Sequence, residues 1–280
     1  MTGSVASNAG QALARRWRIG KQLASANWQI ALTYRGMMLV DAFRVMMMPM
    51  VLAMTWLSVD KKAGTAFSDS DYLLYYLAVP IVAKLTECWT VNSIPEEIRN
   101  GTLSRHLLKP LHPLWFHVME HFSQKALQIF HLVPVVAVFG WALSNRLPAL
   151  ELGFWHIILL GCVLTLGIIL RFAMTTAIAM TGFWIERVEN LNLVLNAAVW
   201  AMLGGLVIPL ETLPSWLRWV TDLLPYRYSL SFPIEILAGR IAAKSVIFGL
   251  AMTVLWSMFF FMITRDLWQR GLKIYTAYGG

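Results

Sequence analysis

The chain has 280 residues, of which 58% are hydrophobic and 14% charged, with a formal net charge of +8. Its mean hydropathy of +0.60 leaves too little polar surface to cover a soluble globule of that length, so a water-soluble fold is excluded. An all-α integral membrane protein with one membrane domain is predicted instead.

After a lead over 1–10 predicted as disordered, the first forty residues carry a helix with two unlike faces. At about 100° per residue, Leu13, Trp17, Leu23, Ala24, Ile30 and Ala31 gather on one side. Arg15, Arg18, Gln22, Ser25, Gln29 and Thr33 gather on the other. That pattern predicts an amphipathic helix in the interface plane, with Trp17 and Trp28 at headgroup depth. It serves as a topological anchor or as part of a docking surface for a cytoplasmic partner. We assign 1–36 to this interfacial unit and 37–280 to the membrane domain. Arg15, Arg16, Arg18 and Lys21 are followed by a mixed segment, which does not fit a signal peptide, and the first span is expected to be an uncleaved anchor.

Six apolar runs follow, at 39–59, 72–94, 124–143, 155–185, 191–209 and 246–264, each read as a helix able to cross a hydrocarbon core of roughly 30 Å. They are continuous rather than alternating at period two, which disfavours a barrel. In the first run, Met46, Met47 and Met48 beside Pro49 suggest soft packing around a kink, or a substrate-facing patch. Small residues, Gly161, Gly167 and Ala173 in the fourth run and Gly204–Gly205 in the fifth, suggest close helix approach. With the N-terminus inside, Lys and Arg favour the inner connections by about two to one, although Arg218, Arg227, Arg240 and Lys244 weaken the bias. Both termini are therefore expected in the cytoplasm. The asymmetry and anionic headgroups account for the net charge without nucleic acid.

Between the second and third runs lies a charged island at 95–113, PEEIRNGTLSRHLLKPLHP. Pro95 suits the first turn of a helix, Glu96 and Glu97 complement its positive end, and Gly101 terminates it after Asn100. A second short helix over 102–109 is closed by Pro110 and Pro113. Two brief turns held by Gly and Pro predict a rigid knob, against the plainer reading of a solvated loop.

Ionisable residues inside spans cost about 2.5–3.5 kcal/mol or more when unpaired at the bilayer centre. Asp41 and Arg44 stand three apart in the first run, and Lys84 and Glu87 three apart in the second, so each pair can meet on one helix face. Such pairs neutralise one another, line the inner half of a pathway, or bridge two chains. Arg171 in the fourth run has no carboxylate at helical spacing, which points to an anionic headgroup or another subunit. Cys88 and Cys162 read as small packing residues within spans. His117-Val-Met-Glu120-His121 fits H-x-x-E-H, but a zinc site needs a third ligand and an open cleft, and polar side chains are at home where the third run begins.

Between the fifth and sixth runs, 209–239 holds apolar pieces too short to cross, bounded by Pro209, Pro214 and Pro225. Trp216, Trp219, Tyr226 and Tyr228 suit an interface. The segment either re-enters the outer leaflet or lies on it as a surface hairpin.

The island EEIRNGTLSRHLLKPLHPLWF and the later run GLVIPLETLPSWLRWVTDLLPYRYSLSFPIEILAGR together resemble the two distinguishing regions of ABC-2 type permeases, the membrane subunits of one class of ABC transporter. The resemblance covers nearly the whole chain and rests on the order and placement of these short runs. It implies a cytoplasmic ATPase dimer docked on two permease halves, with Glu96, Glu97, Ile98, Arg99, Gly101, Thr102 and Leu103 in the ATPase groove. Pro209, Pro214, Trp216, Trp219, Pro225 and Tyr226 would belong to an outer gate. It also implies a bacterial inner-membrane exporter of a lipid-like, drug-like or glycan substrate, paired with a second permease chain, like or unlike, with a slight preference for unlike. No G-x-x-x-x-G-K-[ST] occurs, so no cofactor is expected on this chain and ATP belongs to a separate subunit. Two other classes stay open: an intramembrane enzyme, for which no G-x-S-x-G is present, and a self-contained channel or carrier.

Overall fold

A computed structural model describes residues 35–59, 67–109, 111–150, 153–239, 241 and 243–275, together with Gln22, Ser25, Trp28 and Gln29. Every regular element among them is helical. The interfacial helix expected in 1–36 lies outside the described residues except for those four, which are helical and exposed, and for the start of the next helix. Trp28 places its ring 5.3 Å from that of Phe130.

Helix α1 runs from Arg35 to Val59, with Pro49 inside it. It turns Ala42, Met46 and Ala53 inward, while Met47 and Met48 face outward, so only one of the three methionines packs in the core. Helix α2, Asp69–Thr86, begins with a capping box: Asp71 N–H donates to Ser68 Oγ, and Ser68 N–H donates to Asp71 Oδ2. Its residues 72–80 are buried on every side, because α2 is the central post of the bundle, packed on α1 and on three later helices.

The run 72–94 is not one helix, contrary to the sequence reading. At Glu87 the backbone turns extended, and a new helix, α3, occupies Thr90–Arg99. The buried ammonium of Lys125 satisfies the break, donating to the carbonyl of Lys84 at 2.8 Å and to that of Glu87. Pro95 therefore sits inside α3 rather than opening it. Its ring lies where a side chain on Gly182 would be, 3.0 Å from that glycine's ideal Cβ.

Gly101, with φ +70, ends α3 and leads into the short helix α4, Leu103–Leu107. Helix α5, Pro113–Ala142, starts eleven residues before the predicted third run, capped by His112, whose Nδ1 accepts from the N–H of Leu114. Helix α6, Phe154–Met180, continues as a tight turn to Phe183. The next predicted run is instead a short helix α7, Val188–Asn192, a π turn Leu193–Val199 and helix α8, Trp200–Leu203. It ends at Gly205, which has φ +95 and turns the chain tightly against two helices, its ideal Cβ lying 2.5 Å from the Tyr75 hydroxyl and 3.0 Å from Ser231 Cβ. Helices α9, Ser215–Leu223, and α10, Ser231–Leu237, precede α11, Ala243–Ile274.

Among the described residues, four helices are long and apolar enough to cross a membrane: Leu39–Ser58, Pro113–Ala142, Phe154–Phe183 and Ala243–Ile274. At about 1.5 Å per residue even the shortest covers about 30 Å. The outward faces match lipid, as on α11, where Ile247, Leu255, Met258 and Phe261 are exposed.

Glycines permit close approach at Gly167 on α6, whose ideal Cβ would lie 3.2 Å from the carbonyl oxygen of Tyr228 and 3.9 Å from Thr86, and at Gly249 on α11, whose ideal Cβ would run into the ring of Phe232. Gly161 faces open space and Cys162 is exposed, so neither serves the packing role that its composition suggests. Cys88 is buried, 3.2 Å from Thr90 Oγ1.

Candidate functional site

The knob formed by α3 and α4 has an apolar root and a polar tip. Ile98 and Leu103 are buried with Ile94, Ala179, Met180 and Trp268, so the root is continuous with the ends of α6 and α11. Their side chains face the bundle, not the surrounding medium. Glu96, Arg99 and Asn100 are exposed on α3, and Arg105, Leu107 and Lys109 on α4 and just after it. Leu108 is 88% exposed, an apolar side chain standing off the tip with no neighbour covering it among the described residues.

Glu97 points the other way. Its carboxylate oxygens lie 3.8 Å from Nε2 of His106 and 3.4 Å from Nε2 of His117, joining α3 to α4 and α5. Burial alone would raise the Glu97 pKa, yet it is lowered, because His117, His106 and Lys109 stabilise the carboxylate. His106 is lowered by burial, which, with Lys109, His117 and Arg105 adding to it, outweighs the opposing pull of Glu97. A cavity of about 440 Å³ opens beside this group, lined among others by Gln22, Glu97, His106, Lys109 and Phe116. Arg99 holds the outer edge of α3 to α7, donating to Glu189 at 3.1 Å and to the carbonyl of Glu186 at 3.2 Å. Thr102 Oγ1 lies 3.5 Å from the carbonyl of Glu97, which closes the turn around Gly101.

The H-x-x-E-H residues serve different neighbours. His117 faces Glu97, whereas His121 packs on the ring of Phe172, 5.4 Å away. Glu120 accepts from Gln124 at 3.2 Å.

The charges predicted to lie within the membrane form a chain across α1 and α2. Arg44 contacts Asp41 at 2.5 Å, Asp41 contacts Lys84 at 3.3 Å, and Lys84 contacts Glu87 at 2.8 Å. A cavity of about 300 Å³ borders the chain, with Asp41, Lys84, Gln128 and His131 in its wall. Arg171 stands apart from it, buried on α6, and donates to the carbonyl of Asn196 at 2.9 Å. Its guanidinium carbon lies 4.2 Å from the ring centre of Trp200.

At the opposite end, 209–239 has two layers. Pro214, Trp216 and Trp219 are exposed, while Pro209 and Pro225 are buried and Tyr226 is half-buried. Helix α10 is inserted between α2 and α6. Glu235 on it is buried, bonded to Arg227 Nη2 and Ser231 Oγ at 2.5 Å each, and Arg227 also contacts Asp222. Three aromatics from α1 and α2 hold the preceding turn: Tyr75 donates to Gly205 O at 2.6 Å, and Tyr76 and Trp56 donate to Val207 O at 2.8 and 3.0 Å.

Residues 43–279 match the family described as ABC-2 family transporter protein. The chain belongs to that family. No curated protein and no solved structure matches it. An ABC-2 chain is a membrane component of an ABC transporter, and membership implies an ABC ATPase as partner. The match includes both the knob and the two-layered segment. In this ABC-2 protein the residues that sequence reasoning missed are Leu108 at the knob tip, Lys125 at the break and the Arg227–Glu235 pair. Leu108 lies within the charged island quoted above, as an apolar residue beside Lys109, so its signal was available. The other two depend on contacts that the linear order does not display.

Proposed function

We propose that this chain is the permease subunit of a bacterial ABC exporter and that its knob is the docking surface for a separate cytoplasmic ATPase dimer. The observation that carries the reading is the contrast within the knob. Its root is packed on the ends of two long helices, and its tip presents Leu108 among Glu96, Arg99, Asn100 and Arg105. A rigid, exposed, mixed apolar and charged tip is suited to a protein groove, and a packed root passes movement into α6 and α11. Gly101 and Thr102 shape the tip, and Ile98 and Leu103 transmit its motion rather than fill the groove.

In this reading the chain crosses the inner membrane six times, with the knob and both termini in the cytoplasm. Helix α2 is of spanning length at about 27 Å and is sheathed by protein, so the charges near its ends need not meet lipid. The stretch Val188–Leu203 makes the fifth crossing, completed by the turn at Gly205. Helix α9 lies at the outer interface on Trp216 and Trp219, and α10 re-enters and closes the outer exit. A second permease chain, by preference an unlike one, completes the pathway, with Asp41, Arg44, Lys84 and Glu87 on its inner half.

Capture of the ATPase from detergent extracts by the tagged native chain, compared with Leu108→Asp, tests the docking surface. We expect the variant to capture at least about tenfold less, as when an interface anchor is lost. Equal capture by a well-folded variant would contradict the proposal.

A further inference from the structure

Arg171 is 6% exposed, and its Nε and Nη1 have no hydrogen-bond acceptor among the described residues. Only Nη2 is engaged, by the carbonyl of Asn196 at 2.9 Å, and the Asn196 side-chain oxygen has no donor either. A guanidinium keeps its charge in proteins and offers donors on every nitrogen, so leaving two nitrogens unused in a buried place is costly. The cation–π contact with Trp200 covers one face of the group and leaves its in-plane donors unsatisfied.

The surroundings are polar and irregular. Arg171 lies on α6 between Gly167, which faces Thr86, and Thr175, whose hydroxyl is 3.3 Å from that of Thr90. It therefore stands at the level where α2 breaks off and α3 begins. From the other side it is covered by the π turn Leu193–Val199. Irregular backbone at membrane depth is tolerated where it lines a cavity or a site, and π turns are frequent at functional sites. That covering layer is one helix thick: Leu193 and Val194 are 64% and 55% exposed on its outer side, while Asn196 is buried on its inner side.

From this geometry we infer that Arg171 is a subsite for the anionic head of an amphiphile, a carboxylate or phosphate monoester, whose tail stays in lipid beside the π turn. The burial decides against a second subunit as the acceptor, because a partner's side chain would have to pass through this chain's own covering layer. A small anionic head can slip beneath the π turn laterally from the membrane. Trp200, held by its indole N–H to Ser229 Oγ at 2.9 Å, keeps the guanidinium plane in place for it. The inference deepens the transport reading by naming a substrate class, and it rests on that reading only for the ligand's fate. Binding itself requires no ATPase.

The test uses the full chain in phosphatidylcholine nanodiscs and a photoreactive fatty acid with its diazirine near the head, compared with the methyl ester of the same acid. The acid should label 188–203 saturably, with displacement by excess unlabelled fatty acid, and the ester should not. Arg171→Gln should weaken the saturable labelling about tenfold or more, the size expected when a hydrogen-bonded charge is removed. Arg171→Lys should retain part of it. Displacement by added phosphatidic acid, a two-tailed phosphate monoester, would identify a bilayer lipid as the occupant, and resistance to it a single-tailed anion; each supports the site. Equal labelling by acid and ester in the native chain would overturn the inference without recourse to any variant. Unchanged labelling of a monodisperse Arg171→Gln would overturn it as well. Failure of the native chain to capture an ATPase, with labelling intact, would count against the docking reading alone.

Discussion

Glu97 Oε2 lies 3.4 Å from His117 Nε2, so this carboxylate ties the knob helix α3 to the long helix α5. The carboxylate faces inward, and its neutral isostere should leave the docking surface intact while loosening that tie. Glu97→Gln is therefore expected to capture the ATPase as the native chain does, with transport reduced several-fold. Parallel pull-down and vesicle transport measurements check this. Loss of capture at an unchanged melting temperature would instead put Glu97 in the docking contact.

The same group makes stability depend on pH. His106 is lowered from its ordinary 6.5, chiefly by burial. Just below that value the unfolded chain binds a proton that the folded chain refuses, so stability falls as pH drops through the window beneath 6.5. Glu97 is lowered from 4.5, with burial outweighed by the histidines and Lys109, so its contribution is present above 4.5 and lost as pH falls through its folded value. Melting temperatures from about pH 7.5 to about pH 5 should fall, and His106→Gln should flatten the upper part of that decline.

Glu235 and Arg227 are the buried pair that holds α10 in place, with side-chain exposures of 2% and 15%. Glu235→Ala removes the carboxylate that bonds both Arg227 and Ser231, leaves Arg227 with Asp222, and should cost about 1.5–3 kcal/mol. The double change Glu235→Leu with Arg227→Met should recover most of that loss. Thermal unfolding of the purified variants measures both, and a double variant as unstable as Glu235→Ala would mean that the pair is not what holds α10.

At Gly205 the backbone has φ +95, and an added Cβ would lie 2.5 Å from the Tyr75 hydroxyl. Gly205→Ala should therefore destabilise by about 1–3 kcal/mol. Tyr75→Phe, which leaves the Gly205 carbonyl without its donor, should cost about 1 kcal/mol. Denaturation midpoints rank the two.

Apolar length and helix punctuation made most of the bundle legible, because lipid demands long continuous runs and Gly101 needs a left-handed backbone. Where the reading departed from the structure, the cause was tertiary. The run at 72–94 looks continuous, yet Lys125, far along the chain, satisfies the carbonyls that a break at Glu87 exposes. Pro95 looks like a helix start, but packing on Gly182 and the Thr90 hydroxyl contacts allow α3 to begin earlier. Arg171 stood out by lacking a carboxylate at helical spacing, whereas its actual neighbours, Asn196 and Trp200, come from another segment. The Arg227–Glu235 pair was hidden because a tight turn, not a helix face, brings its members together.

The central claim is that the knob receives a nucleotide-hydrolysing partner, and a photo-crosslinking residue substituted for Leu108 in living cells tests it most directly. We predict a covalent adduct with a polypeptide carrying a G-x-x-x-x-G-K-[ST] loop, absent when the crosslinker replaces Phe154 at the far end of the bundle. An adduct with no such protein at Leu108, or the same adduct from Phe154, would contradict the account.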